Sequence, residues 1–196
     1  MKKGIIKNLA VLIMAALLVG CTKEPEIHTE ESSITLKPDG SVSAVLMESF
    51  DKDYYSEQEL VNMVNAEIAD YNSTHGDGSI ALGKHELKAG IMTLELQFKT
   101  CADYSEYMPG ELFMGTVAEA QTAGYDFNRS LYKASSSENS IGKKDLLEMG
   151  SEKLIVLDGS SAVTVPGKIK YYSQGMTAES GNTVRPENDG LYFIIY

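Results

Sequence analysis

Residues 91–100 read Ile-Met-Thr-Leu-Glu-Leu-Gln-Phe-Lys-Thr, the most regular alternation of apolar and polar residues in this chain. Successive side chains of a strand point to opposite faces, so one face of this strand is expected to meet a core and the other to meet water. Such alternation is typical of an antiparallel sheet. Residues 80–88 precede it, and Ala89-Gly90 between the two runs predicts a hairpin. The apolar face comprises Met92, Leu94, Leu96 and Phe98.

Further strands are predicted where short β-branched or aromatic runs lie between turn residues. Pro38-Asp39-Gly40 predicts a second hairpin, because proline presets the turn and glycine supplies the positive φ that ends it. The last run is apolar throughout, so a well-covered strand is expected at the C-terminus. The predicted strands outside 80–100 are 33–36, 41–50, 154–157, 162–165, 169–172 and 191–196.

One long helix and two or three short ones are predicted between the strands. Ser56 and Glu59 have the spacing of a capping box, which predicts a long amphipathic helix that begins there and ends near Tyr71. Short helices are predicted at 102–108, 117–123 and 143–149, and a loop at 133–140. Hairpins with helices inserted between them indicate the α+β class and a single domain with a mainly antiparallel sheet. The apolar stripe of the long helix comprises Leu60, Met63, Val64, Ile68 and Tyr71.

The N-terminal residues have the pattern of an export signal. Three lysines precede an apolar run at 9–19 that is too short for a stable transmembrane helix, so residues 1–20 are predicted to be a signal peptide. The end of this segment, Leu18-Val19-Gly20-Cys21, resembles the lipobox of bacterial lipoproteins. This resemblance implies that the mature chain starts at Cys21, carries acyl chains such as palmitate on that thiol, and is held at the membrane by them.

Residues 21–32 are predicted to form the acylated cysteine and an acidic tether, and residues 33–196 a single α+β domain. The tether is polar, with four glutamates and one proline, so no secondary structure is expected there. The domain would therefore be held close to the outer face of the cell membrane.

Several stretches of the mature chain resemble uncharacterised lipobox-containing lipoproteins of anaerobic Gram-positive bacteria of the Clostridia type. The likeness extends over most of the chain and implies one family-wide domain, without implying an activity, a catalytic residue or a ligand. The stretches are 51–55 (Asp-Lys-Asp-Tyr-Tyr), 116–120 (Thr-Val-Ala-Glu-Ala), 142–150 (Gly-Lys-Lys-Asp-Leu-Leu-Glu-Met-Gly) and 165–172 (Val-Pro-Gly-Lys-Ile-Lys-Tyr-Tyr).

Charge and motifs exclude several functional classes. The chain carries 28 acidic and 17 basic residues, a net charge of −11, so its surface disfavours nucleic acid and anionic membranes. No zinc-type His-Glu-x-x-His motif, no Gly-x-Ser-x-Gly elbow and no phosphate-binding glycine loop occurs, so no cofactor is predicted.

Cys101 is the strongest candidate for catalysis, because it lies where a strand ends and a short helix is predicted to begin. A helix N-terminus lowers the pKa of a thiol, and His75 or His85 could act as its base. The alternative interpretation is that Cys101 is a buried thiol that behaves as a small apolar residue, which is the commoner role of a free cysteine.

Asp51, Asp53 and Glu57 form the densest local group of carboxylates. They are low-ranking candidates for a calcium site, because an EF-hand counted from Asp51 would require glycine and a carboxylate where this chain has Ser56 and Asn62. The alternative is a polar turn followed by an acidic first turn of helix, which the helix dipole favours.

Two functional hypotheses follow. The first is a lipid-anchored, non-enzymatic module at the extracytoplasmic face of the membrane that binds an envelope protein, peptide or polymer. The second is an envelope hydrolase or thiol enzyme that uses Cys101. A solvent-accessible Cys101 beside an imidazole would favour the second hypothesis, whereas a buried thiol would favour the first.

Overall fold

The computed structural model describes residues 32–196. The predicted signal peptide at 1–20, the predicted acylation site Cys21 and residues 22–31 of the predicted tether lie outside this range. In the described part of the chain, no helix combines the length and the hydropathy needed to span a bilayer.

Residues 32–196 form thirteen strands and four helices, and the structure is therefore of the predicted α+β type with mainly antiparallel pairing. The strands are β1 (Ser33–Leu36), β2 (Val42–Ser49), β3 (Ile80–Lys88), β4 (Ile91–Phe98), β5 (Leu112–Thr116), β6 (Leu131–Lys133), β7 (Ser136–Ile141), β8 (Lys153–Asp158), β9 (Ala162–Thr164), β10 (Tyr171–Ser173), β11 (Met176–Ala178), β12 (Thr183–Pro186) and β13 (Leu191–Ile195). The helices are α1 (Glu57–His75), α2 (Cys101–Tyr107), α3 (Val117–Thr122) and α4 (Lys143–Glu148).

The strands form two sheets rather than one. The first has seven strands in the order β11-β12-β9-β1-β2-β4-β3, and the second has six in the order β5-β8-β13-β10-β6-β7. Every recorded strand pair is antiparallel except β1 with β9, where Ile34 is opposite Val163. The predicted hairpin at 80–98 is confirmed, and Ala89 and Gly90 have φ of 50° and 77° in its turn.

The second sheet is covered on both faces, which explains the continuous apolar run at the C-terminus. Tyr192 and Ile194 of β13 belong to a large cluster shared with the first sheet, α1 and α2. Phe193 and Ile195 point the other way, into a smaller cluster that includes Val117 of α3 and Leu146 of α4. Strand β8 alternates in the same manner, with Leu154 and Val156 in the smaller cluster and Ile155 and Leu157 in the larger.

Helix α1 begins where the sequence predicts it and extends beyond the predicted end. The Ser56 hydroxyl accepts a hydrogen bond from the Glu59 N–H at 3.3 Å and caps its first turn. Of the predicted apolar stripe, Val64 and Ile68 are fully buried and Leu60, Met63 and Tyr71 are half-buried, and Val61 is buried as well. Helix α3 also has its predicted capping box, formed by Thr116 and Glu119.

The prediction of a loop at 133–140 is wrong, because residues 136–141 form β7, which pairs with β6. This edge strand is polar, so its sequence lacks the apolar alternation that identifies a half-buried strand. Strands β5, β6, β11 and β12 were not predicted either. The last two are short, with three and four residues, and a groove lies beside β5.

Candidate functional site

An open groove of about 910 Å³ lies beside β5, the edge strand of the second sheet. One wall is formed by the start of α2 with Cys101 and Ala102, and another by β5 with Leu112 and Met114. The turn at 38–40 closes one side. The volume falls in the range of about 300 to 1,000 Å³ that is typical of small-ligand sites.

The outer edge of β5 is already bonded at both ends. The Glu111 carbonyl accepts a hydrogen bond from the Asp158 N–H. Because hydrogen-bonded and non-hydrogen-bonded pairs alternate along two antiparallel strands, the backbone groups of Leu112, Met114 and Thr116 point away from β8. The Ser105 hydroxyl accepts from the Leu112 N–H at 2.9 Å, and its single proton is shared between the Cys101 carbonyl at 2.9 Å and the Leu112 carbonyl at 3.1 Å.

At the other end, a Glu119 carboxylate oxygen accepts from the Thr116 N–H at 2.7 Å. The N–H and C=O of Met114 lie between these two bonded positions and face outward. No side chain or loop within residues 32–196 bonds to them. The edge of β5 therefore offers one donor and one acceptor, on a single residue, to a molecule in the groove.

The charged residues of the groove differ in how they are bonded. Each of its four carboxylates has a hydrogen-bond partner within the chain: Asp39 accepts from Ser41, Glu106 contacts His75, Glu111 accepts from the Tyr125 hydroxyl, and Glu119 accepts from Thr116. The two ammonium groups have no such partner within residues 32–196.

Lys99 and Lys153 are both exposed, and across the described residues neither forms an ion pair or a hydrogen bond through its side chain. Lys99 follows β4 of the first sheet, whereas Lys153 begins β8 of the second. Lys153 lies near enough to Glu119 to help lower the pKa of that carboxyl, after the two hydrogen bonds from Thr116. The groove therefore has four carboxylates and two ammonium groups, one from each sheet, and its formal charge is negative.

Cys101 lies in the wall of the groove, but its thiol is not activated. It packs against the larger apolar cluster, and burial raises its pKa to about 11. This direction is opposite to the lowering that a helix N-terminus would give a catalytic thiol. In the described structure the thiol has no hydrogen bond to an imidazole, so the general base that a cysteine nucleophile requires does not contact it.

Both candidate bases have other partners. The ring of His75 stacks on that of Tyr71 with centroids 3.9 Å apart, its Nδ1–H donates to the Tyr71 carbonyl at 2.9 Å, and its Nε2 lies 3.1 Å from a Glu106 oxygen. The hydrogen bond to the Tyr71 carbonyl and, less strongly, the contact with Glu106 raise the pKa of His75. His85 is on β3, where its Nδ1 lies 3.3 Å from Glu57 Oε1. Of these contacts, only the one with Glu106 connects His75 to a residue that lines the groove.

The candidate calcium ligands do not converge. Glu57 contacts His85, Asp51 lies 3.5 Å from the neighbouring Lys52 ammonium, and Asp53 is exposed without a recorded side-chain partner in the described part of the chain. Within residues 32–196, no three His, Cys, Asp or Glu side chains are grouped closely enough to hold a metal ion.

Comparisons with protein-family models, with curated proteins and with solved structures gave no match to this chain.

Proposed function

We propose that the chain is a lipid-anchored, non-enzymatic binding module at the outer face of the cell membrane, and that the groove beside β5 is its ligand site. The observation that carries the ligand site is the groove itself, where the outward-facing N–H and C=O of Met114 have no hydrogen-bond partner within residues 32–196. Such a concave surface with a few convergent polar groups is the usual form of a ligand pocket.

Binding is favoured over catalysis by the surroundings of Cys101. A thiol with a pKa of about 11 is almost wholly protonated at neutral pH, and only the thiolate is a strong nucleophile. Neither His75 nor His85 is placed to take a proton from this thiol, because their imidazoles contact Glu106 and Glu57 instead. An envelope thiol enzyme based on Cys101 is therefore the weaker hypothesis.

Lipid anchoring rests on the lipobox-like residues 18–21 and is tested with the full chain expressed in a Gram-positive host. The wild-type chain is expected to incorporate radiolabelled palmitate and to sediment with membranes, whereas Cys21→Ser is expected to lose the label. Cys101→Ser is the matched control, because it removes the other cysteine and should keep the label. Equal labelling of wild type and Cys21→Ser would contradict anchoring at this residue.

The ligand site is tested with the full Cys21→Ser chain in mild detergent, mixed with pools of tripeptides and pools of short oligosaccharides. A ligand at about ten times its dissociation constant stabilises the folded state by about 1.4 kcal/mol. For a chain of this length such a gain raises the melting midpoint by about 3 to 6 °C. We expect at least one pool to give this rise.

Two tryptophan variants locate the binding. Ala102→Trp fills the groove from an exposed position of α2 and is expected to abolish the rise, whereas Asn65→Trp, on an exposed position of α1, is expected to keep it. If no pool raises the melting midpoint, or if both variants lose the effect equally, the groove is not a ligand site.

A further inference from the structure

The wall of the groove beside β5 carries a row of carboxylates and aromatic rings. The Tyr125 hydroxyl donates to Glu111 Oε1, and the centroid of the Tyr125 ring lies 5.3 Å from that of Phe113. A β-carbon on Gly115 would lie 2.7 Å from Phe113 Cζ and 2.9 Å from Glu119 Oε2, so this ring and this carboxylate meet over the glycine. All five residues line the groove. Two neighbouring rings therefore have a carboxylate at each end of the pair.

Both carboxylates are held by one oxygen and keep the other free. Glu111 accepts the Tyr125 hydroxyl proton at Oε1, and Glu119 accepts from the N–H and the hydroxyl of Thr116 at Oε2, at 2.7 and 2.9 Å. Within residues 32–196, Glu111 Oε2 and Glu119 Oε1 accept no recorded hydrogen bond. A carboxylate that is already oriented in this way loses little conformational freedom when it binds a donor.

The charge of the groove favours a cation, and the spacing of its carboxylates favours an organic one. Four carboxylates outnumber two ammonium groups, and although Lys153 is near enough to help lower the pKa of Glu119, no ion pair between them is recorded in the described chain. Within residues 32–196, no three His, Cys, Asp or Glu side chains are grouped closely enough to hold a metal ion. Aromatic rings, by contrast, attract an alkylammonium group and pack against its methylenes.

Resting on the proposed ligand site, we propose that the groove binds a linear aliphatic polyamine through the two carboxylates and the two rings of this row. One ammonium lies against Glu111 and another against Glu119. The methylene chain between them lies on the rings of Phe113 and Tyr125. The outward-facing carbonyl of Met114 is a further acceptor for an amine N–H. Binding is non-covalent, and no bond is made or broken.

The test uses 1,6-diaminohexane as the probe, with the isotope-labelled full Cys21→Ser chain in a non-ionic detergent, followed by the amide resonances of Met114 and Gly115. At about 0.15 M salt, attraction between exposed charges is screened beyond about 8 Å. The matched probes are 6-amino-1-hexanol and 1,6-hexanediol, which have the same length with one ammonium and none. We expect the amino alcohol to bind about twofold to fivefold more weakly than the diamine, the range for one partly exposed ammonium–carboxylate contact, and the diol to bind more weakly still.

Four charge variants assign the contacts. Glu111→Gln and Glu119→Gln each keep an oxygen acceptor for the internal hydrogen bond, and each is expected to weaken diamine binding about twofold to fivefold. Glu86→Gln is the matched control, because Glu86 is exposed on β3 outside the groove and its loss changes the net charge equally. Lys153→Gln is expected to tighten binding, because it removes a like charge near Glu119.

The contribution of the rings is tested separately. Phe113→Leu keeps an apolar side chain and removes the aromatic face, so it is expected to weaken diamine binding about twofold to fivefold, the range of an exposed cation–π contact. Tyr54→Leu is the matched control, because Tyr54 is an exposed ring outside the groove. Equal binding by wild type and Phe113→Leu would contradict the placement of the methylene chain on this ring.

The outcomes separate this inference from the proposed function. Tripeptides with two lysines present the same alkylammonium groups, so such members of the tripeptide pools are expected to bind as well. If hexanediol binds as tightly as the diamine, or if Glu86→Gln weakens binding as much as the groove variants do, the polyamine assignment is wrong. If lysine-free peptides or oligosaccharides bind in the groove while diaminohexane does not, the ligand class is wrong and the ligand site stands. If none of these molecules binds, both are wrong.

Discussion

Replacing Phe193 with alanine is expected to lower the free energy of unfolding by about 3 to 5 kcal/mol, the range for truncating a buried aromatic residue. Phe193 is fully buried in β13, where its ring lies 5.3 Å from that of Phe127 and 6.2 Å from that of Tyr125. The guanidinium carbon of Arg129 lies 4.4 Å above the same ring. The substitution thus leaves a cavity in the smaller apolar cluster and removes a cation–π contact.

The loss is measured by urea denaturation of the full Cys21→Ser chain, followed by far-ultraviolet circular dichroism because the chain has no tryptophan. Tyr54→Ala is the matched control: Tyr54 is 75% exposed, so a change within about 0.5 kcal/mol is expected there. Phe193→Leu, which keeps apolar volume but loses the aromatic face, should fall between the two. A loss below about 1 kcal/mol for Phe193→Ala would show that this cluster contributes little to stability.

Phe193 lies in a strand whose burial on both faces is predictable from the sequence. The unbroken apolar run at the C-terminus predicts a well-covered strand, and β13 is covered by the first sheet on one face and by α3 and α4 on the other. Local signals of this kind also predicted α1 and the hairpin of β3 and β4. They could not predict two sheets, because the parallel pairing of β1 with β9 joins residues far apart in the chain.

The groove was not predictable for a related reason. Lys99, Met114 and Lys153 belong to no motif and come together only because β5 pairs with β8 and α2 packs against β5. Strand β5 itself has five residues, of which only Leu112 is fully buried. The sequence suggested Cys101 as a candidate nucleophile because it lies at a strand–helix junction, but the burial that raises its pKa depends on tertiary packing.

A buried carboxylate on α1 gives a second stability prediction, with a defined dependence on pH. Both carboxylate oxygens of Glu67 are shielded from solvent and have no hydrogen-bond partner in the described structure, and the hydroxyl of Tyr107 is buried and unpartnered as well. Burial raises the pKa of Glu67 above its ordinary value of 4.5. Burial and, secondarily, the charge of Glu67 raise the pKa of Tyr107.

The sign of the effect follows from proton binding. Because the pKa of Glu67 is higher in the folded chain, the folded state holds its proton to a higher pH than the unfolded state does. Stability is therefore expected to fall as the pH rises from about 4.5 through the folded pKa of Glu67, with the full penalty present above that value.

Replacing Glu67 with methionine should remove this penalty, since methionine has a similar length and helix propensity and needs no hydrogen bond. At pH 7 to 8 the variant is expected to gain about 1 to 2 kcal/mol of unfolding free energy, the cost of an unsatisfied buried polar group. The gain should shrink as the pH falls toward 4.5, because the wild-type carboxyl then becomes neutral. Urea denaturation at a series of pH values measures both quantities.

Glu86→Met is the matched control, because Glu86 is exposed on β3 and has no recorded side-chain partner within the described residues. It should change stability by no more than about 0.5 kcal/mol, and by the same amount at each pH. A gain at Glu67 that does not vary with pH would show that the carboxylate is hydrated in solution and that the extra stability comes from apolar packing alone. A loss of stability would mean instead that the carboxylate and the Tyr107 hydroxyl form a hydrogen bond that the methionine variant breaks.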